Sequence, residues 1–268
     1  MFDPGSTDGS REIAAAATSV TLIAEQDRGQ SDAVNRGMKA ARGDIVAWLN
    51  ADDRYADDAV FERVAERFAK ADAPDVVYGR GRYVDAQGRG CGDAFIFSDP
   101  QELSWRLKTG VGLLQPAVFL RRSALETVGG LDANLHYAMD YDLWIRLATS
   151  GATFAFLDQD LALAVVHDES KTQSMRGDSI QEAIDVARRH FGFVAWSWAI
   201  RQADWELTGH PGLTPDVEAD GQGAQVEARA QQLFDQYNRN PDALRTLGRP
   251  PWDRAKMSTL KHLLRRAK

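Results

Sequence analysis

Apolar and polar positions along this chain repeat on two periods, one suited to helices and one to strands. "REIAAAA" is a helix-forming stretch, and "VTLIAEQ" behind it is a short β-branched and apolar run that suits a buried strand. "DRGQ" breaks the pattern. In "SDAVNRGMKAARG" the residues Ala33, Val34, Met38 and Ala41 recur at helical spacing, with Ser31 placed to cap the amino end and Gly43 to stop the helix. Ile45 to Leu49 is continuously apolar, as in a parallel strand covered on both faces. Asp57 and Asp58 then precede Val60, Phe61, Val64 and Phe68, an amphipathic helix with acids at its positive end, and "DVVYG" reads as a further strand. Helix, strand, helix, strand, helix, strand predicts an α/β fold: a doubly wound mixed, mainly parallel sheet flanked by helices.

The pattern changes after about residue 175. "SIQEAIDVARRHFG", "AWSWAIRQADWELTG" and "VEARAQQLFDQY" read as helices, and "HPGLTPDVEADGQGAQ" is a Pro-, Gly- and acid-rich linker near residues 209–224. The chain therefore reads as an α/β domain over residues 1–175 and a helical carboxyl-terminal extension over 176–268.

Composition narrows the classes of function. A chain of 268 residues that is 44% hydrophobic can bury a sizeable core. Its net charge of -7 argues against a general nucleic-acid binder, whose affinity comes from clustered Lys and Arg. The single cysteine, Cys91, rules out an intrachain disulfide and fits a reducing compartment. No run approaches the roughly 20 apolar residues of a spanning helix. The amino terminus has no basic-then-apolar signal pattern, so a cytoplasmic location is expected. The tail "RPPWDRAKMSTLKHLLRRAK" is basic, with Met257, Leu260, Leu263 and Leu264 at helical spacing. It fits either a solvated helix on its own domain or peripheral contact with an anionic membrane surface.

Candidate chemistry sits where "GDIVAWLNADD" ends. In open α/β sheets ligands bind outside the carboxyl ends of strands, where Asn50, Asp52 and Asp53 fall. Adjacent carboxylates repel. Either this is a solvated turn capping the next helix, or a bound cation offsets the repulsion. Mg²⁺ or Mn²⁺ is typically held by one or two carboxylates while phosphates and water complete the shell. Zinc would want a Cys and His cluster, which is missing nearby. No G-x-x-x-x-G-K-[ST] loop occurs, and no G-x-G-x-x-G lies between a strand and a helix, so ATPase and dinucleotide readings drop.

Four blocks in order, "DPGSTDGS", "EQDRGQSDAVNRGMKAARGDIVAWLNADD", "LLQPAVFLRRSALETVGGLDANLHYAMDYDLWIRLA" and "VVHDESKT", make residues 1 to about 175 similar to family 2 glycosyltransferases of the GT-A fold. The resemblance implies transfer of a sugar from a nucleotide-diphosphate donor, commonly UDP-linked, to an acceptor hydroxyl with inversion, in cell-surface polysaccharide or glycan synthesis. Its partners would be a nucleotide-sugar donor and a glycan or lipid-linked acceptor. "NADD" occupies the place of the family's D-x-D motif. Asp52 then corresponds to the ligand of an Mn²⁺ or Mg²⁺ ion, with Asp53 beside it and Asn50 where the first acid usually stands. Asp3 resembles the acid that contacts the nucleoside, and Asp27, Gln30, Asp32 and Asn35 fall where the family lines the donor pocket. Ordinary helix-surface polarity is the other reading of Asp32 and Asn35.

A sugar hydroxyl needs a base. Asp140 in "YAMDYDLW" resembles the second acid of the family's E-D motif, with Met139 in place of the first, and is the expected general base. Asp142 reads as a helix-start cap or dipole partner. His167 resembles a histidine that joins the metal or diphosphate site in some members, a structural histidine being the alternative, and Lys171 is placed to pair with phosphate. Gln115 and Pro116 fall on the acceptor side of the cleft. Trp105 and Trp144 are candidates for sugar stacking or for core packing. The family carries a strand, a helix and a second strand ahead of the acid matching Asp3, where this sequence has Met1 and Phe2. Relative to the family it is expected to be truncated at the amino end, and the alternative function is a non-catalytic glycosyltransferase-like binding module.

Overall fold

The helix expected around Val60 forms as α3, Val60–Phe68, and its spacing shows why. Val60, Val64 and Phe68 lie at i, i+4 and i+8 on one stripe, are all buried, and pack on Val77, Phe119, Leu161 and Ala162 of a sheet. The computed structural model describes residues 1–166, 176–209 and 223–238. His167, Lys171, residues 210–222 of the linker and the basic tail lie outside them.

Ahead of α3 come α1 (Ser10–Ala16), α2 (Gln30–Ala40), β1 (Ile45–Val46) and β2 (Arg54–Tyr55). After it come β3 (Val76–Val84), β4 (Gly90–Asp93), α4 (Leu103–Arg106), β5 (Val118–Arg121), α5 (Arg122–Val128), α6 (Met139–Thr149) and β6 (Phe154–Val165). The sheet order is β1-β5-β3-β6-β2, with β4 paired to β3. The sheet is mixed, as expected. It is not mainly parallel: among its strand pairs only the long β3–β6 ladder is parallel and the other four run antiparallel, while Phe2 and Ile23 form an isolated parallel bridge outside the strands. Val77 pairs with Phe119 on the α3 face, while Val76, Tyr78, Val118 and Leu120 alternate to the opposite face and are equally buried.

Three local expectations change. "VTLIAEQ" contributes only the bridge at Ile23, and the apolar run after Gly43 is a strand only at Ile45 and Val46, with Leu49 exposed. Ser31 does not cap α2. Gly29 does, at φ 115° and ψ 171°, a backbone region that a side chain would strain.

The ladder between β3 and β6 is interrupted at Gly79, Arg80 and Gly81, where β6 carries extra residues. A Cβ on Gly79 would lie 2.5 Å from the Leu161 side chain and one on Gly81 2.2 Å from Leu114, so close approach explains both glycines. The irregularity lets β6 curl toward β2 and brings its end, Val165, to the loop after β1.

The chain divides into two compact units, Met1–Met175 and Arg176–Lys268. In the second, α7 (Arg176–Phe191), α8 (Trp196–Thr208) and α9 (Gly223–Tyr237) are all helices the apolar spacing predicted. Ala199, Ile200 and Ala203 of α8 meet Val226, Ala230 and Leu233 of α9 in a small core. Asn238 closes this unit by accepting from the Val194 N–H at 2.9 Å and donating to the Val194 carbonyl at 3.0 Å.

Candidate active site

The acids after β1 lie in a tight turn closed by the Asp53 N–H donating to the Asn50 carbonyl at 3.2 Å. Asp52 is exposed at the corner and Asp53 is half-buried. The Asp53 carboxylate is held at both oxygens: Oδ1 accepts from the Val165 N–H at 3.2 Å and Oδ2 from Asn50 Nδ2 at 3.0 Å. Asn50 in turn donates to Gln115 Oε1 at 3.2 Å and accepts from Gln30 Nε2 at 2.8 Å. Gln115 Nε2 donates to the Trp48 carbonyl at 2.7 Å. One polar network thus joins the end of β1, the start of α2, the turn before β5 and the end of β6.

The start of α6, where Asp140 sits, is brought to this network by three tethers. The Trp48 and Trp144 rings stack at 5.8 Å and 20°, and Trp144 is fully buried, so it packs in the core and presents no face to a sugar. Trp144 follows Asp140 by about one helical turn, or roughly 6 Å along the axis. From α2, Ser31 Oγ donates to the Leu135 carbonyl at 3.0 Å in a buried contact. One turn on, Asn35 Nδ2 donates to the Leu131 carbonyl and Asn35 Oδ1 accepts from the Leu131 N–H, both at 2.8 Å. This two-point clamp fixes the loop that delivers α6. Asp140 is half-buried, and its Oδ1 accepts from the Tyr141 N–H at 2.7 Å.

The remaining acids divide by their partners. Asp3 is 2% exposed, and its Oδ1 accepts from the Gly5 and Ser6 N–H groups at 2.8 and 2.7 Å. Those donors, Ser6 foremost, hold its carboxyl below the ordinary aspartate value against the opposing push of burial. Its Oδ2 is buried with no hydrogen-bond partner, which leaves one acceptor of this carboxylate open. Asp27 Oδ1 closes the Gly29 turn at 2.9 Å, and Asp32 accepts from the Arg28 N–H at 3.2 Å with Arg36 Nη1 at 3.9 Å. Asp142 is 1% exposed and pairs with Arg146 Nε at 2.7 Å, an (i, i+4) ion pair inside α6. Trp105 is half-buried with the Arg106 guanidinium 6.0 Å from its ring. The assignment to His167 falls outside the described residues.

Among the described residues no group of three or more His, Cys, Asp and Glu side chains is placed to hold a metal ion. Two adjacent carboxylates, Asp52 and Asp53, stand at the turn after β1. No helix of the described residues is long and apolar enough to cross a membrane. A shallow pocket of about 270 Å³ lined by Leu103, Ser104, Ala148 and Phe154 lies at the opposite end of β6 from Val165, away from these acids.

Sequence reading found the acids but missed what links them. Gln115 was read as lining the acceptor side of the cleft, and its partner Trp48 lies 67 residues away.

Comparison with known proteins places this arrangement. The family model described as Glycosyl transferase family 2 matches residues 1–129. The PGL/p-HBAD biosynthesis glycosyltransferase of Mycobacterium bovis (strain BCG) is 30% identical over 157 residues, covering 57% of this chain and 58% of that protein. The O-antigen biosynthesis protein RfbC of Myxococcus xanthus is 27% identical over 168 residues, covering 63% of this chain and 13% of that protein. The chain thus spans little more than half the length of one relative and a small part of the other. In fold, the S. aureus TarS 1–349 structure in complex with UDP-GlcNAc superposes with a TM-score of 0.55 at 17% identity, covering 88% of this chain and 71% of that one. The mannosyltransferase PcManGT from Pyrobaculum calidifontis, in complex with GDP-Man and Mn²⁺, gives 0.50 at 16% identity, covering 92% and 68%. The profile match over its first 129 residues, these relatives and the GT-A-like sheet make the chain similar to glycosyl transferase family 2.

Proposed function

We propose that this chain transfers a sugar from a nucleotide-diphosphate sugar, probed first as a UDP-sugar, to an acceptor hydroxyl with inversion at the anomeric carbon. The observation that supports it best is the network from Gln30 through Asn50 to Asp53 and Gln115, which gathers the strand-end acids beside the tethered start of α6. Nucleotide sugars in the TarS and PcManGT complexes support the donor class. The relatives' roles in O-antigen and PGL/p-HBAD biosynthesis support a cell-envelope glycan or a lipid-linked glycan as acceptor.

In this reading Asp52, with Asp53 beside it, would hold Mn²⁺ or Mg²⁺. Bound there, the ion would neutralise charge gathering on the departing diphosphate. Asp3 would be the acid that contacts the nucleoside. Asp140 takes the proton from the acceptor hydroxyl as that oxygen bonds to the anomeric carbon. The bond from that carbon to the diphosphate oxygen breaks, its electron pair leaving on the nucleoside diphosphate. A positioned base of this kind contributes about 10²- to 10⁴-fold.

The test is a pair of variants assayed by calorimetric titration of nucleotide sugars with Mn²⁺ and by product formation. Asp52→Ala should abolish metal-dependent binding. Asp140→Asn should keep binding and lose turnover by about 10²-fold or more. Full transfer by Asp140→Asn refutes the base assignment, and binding without turnover in the unaltered chain makes it a binding module.

A further inference from the structure

We infer that Gln115 is a positioning residue that sets, through Asn50, how the strand-end acids are presented; the inference rests on the transferase reading above. The polarity of the network is fixed by its ends. The Trp48 carbonyl can only accept a hydrogen bond, so the Gln115 amide must turn its Nε2 toward it and its Oε1 toward Asn50. An ionised Asp53 also only accepts. Asn50 therefore turns its NH₂ to both Asp53 Oδ2 and Gln115 Oε1 and leaves its Oδ1 to Gln30 Nε2. Flipping any one amide places oxygen against oxygen at hydrogen-bond distance.

This arrangement gives Asn50 a reason. A carboxylate there would face Asp53 Oδ2 at 3.0 Å and Gln115 Oε1 at 3.2 Å, two acceptors with no proton between them. An amide supplies both donors. Asp53 is held by Asn50 and by the Val165 N–H, and its own N–H closes the turn on which Asp52 stands. Gln115 touches neither acid, yet it selects the one orientation of Asn50 that holds them.

The discriminating variant is Gln115→Glu. Ionised, it sets a carboxylate against the Trp48 carbonyl. Protonated, its O–H donates in place of Nε2 and its other oxygen still accepts from Asn50. Among the described residues the charged groups facing it are Asp53, reached through Asn50, and Asp52 at the turn. Binding of UDP with Mn²⁺ to Gln115→Glu should be about tenfold weaker than to the unaltered chain at pH 8, the effect of one such hydrogen bond, and should recover toward it at pH 5.5. Exchange of the Val165 amide hydrogen, read by NMR, should be about tenfold faster in Gln115→Ala and in Gln115→Glu at pH 8, and restored in the latter at pH 5.5. A Val165 amide equally protected in all variants, or a Gln115→Glu defect of the same size at both pH values, overturns the proposal. If the unaltered chain binds no nucleotide or nucleotide sugar, the transferase reading fails by itself, and Val165 exchange still decides whether Gln115 positions these acids.

Discussion

Removing the Asn35 amide tests the tether between α2 and the loop before α6, a role that neither reading of its sequence position, donor pocket or helix-surface polarity, included. Asn35→Ala deletes two hydrogen bonds of 2.8 Å to the Leu131 backbone. Leu131 is 5% exposed, so its N–H and carbonyl would lose their partners where water enters poorly. A lost hydrogen bond costs about 1 kcal/mol, and an unsatisfied buried group about 1–3 kcal/mol, so a total of about 3 kcal/mol is expected. For a unit of this size that is a fall in Tm of roughly 6–12 °C. Gly130 supplies an internal control. It sits at φ 77°, and a Cβ there would come within 2.7 Å of Asn35 Oδ1. Gly130→Ala should cost about 1–2 kcal/mol for the left-handed backbone and more for the displaced amide. The double variant should be less destabilised than the sum of the two, because Asn35→Ala removes the atom the new methyl strikes. Urea denaturation followed by circular dichroism reads all three. An Asn35→Ala variant within about 0.5 kcal/mol of the parent, the range of an ordinary surface change, would refute the clamp and return Asn35 to the donor pocket.

Gly112, at φ 59°, would place a Cβ 1.9 Å from the ring of the buried Phe97; Gly112→Ala should cost roughly 3 kcal/mol in a thermal melt, and a neutral result would contradict this packing. Acid stability should follow the surface carboxylates. Hydrogen bonds from the Arg63 side chain to Asp57, from the Arg67 side chain to Asp72, and from the Arg89 N–H to Asp85 hold these acids below the ordinary 3.8. A carboxyl whose folded pKa is depressed stabilises fully above 3.8 and loses that contribution as pH falls through the depressed value. Urea midpoints should therefore fall progressively from pH 5 to pH 2, with a shallower slope in Asp72→Asn; midpoints that rise over this window would contradict the pairing.

The elements legible in the sequence are those whose burial is decided within one stretch of chain. The stripe of Val60, Val64 and Phe68 needs only a neighbouring surface, and α3 formed where the spacing put it. The turn that halts the apolar run at Asn50 to Asp53 was legible for the same reason, although β1 itself stops at Val46. Pairing was not. Ile45 to Leu49 reads as buried on both faces, but a ladder needs a partner edge, and only Ile45 and Val46 find one, against Arg121 and Leu120. Continuous apolar runs also arise in antiparallel strands covered on both sides, so β5 gave no sign of its direction. Ser31 illustrates the contest at single-residue level: local chemistry favours a cap, but the carbonyl of Leu135, 104 residues on, offers a buried acceptor. Asp52, Asp53 and Asp140 were singled out by motif. The clamp at Asn35 and the orientation of Gln115 depend on partners that no local window contains.

The way these acids are held bears on the chemistry proposed for them. Elsewhere on the first unit, carboxylates meet guanidinium groups, as in Arg63 with Asp57 at 2.8 Å or Arg67 with Asp72 at 2.6 Å. Such pairing fixes a side chain by cancelling its charge. Asp53 receives an asparagine NH₂ and a backbone N–H, and the Asp140 Oδ1 receives a backbone N–H. A neutral donor fixes orientation without itself cancelling charge, which suits a cation ligand or a proton acceptor. The cost of keeping charge on adjacent residues falls on the surrounding amides, which must all point one way. That is why the support runs through Gln30, Asn50 and Gln115, side chains with a donor and an acceptor each, and why reversing a single one of them should disturb acids it does not touch.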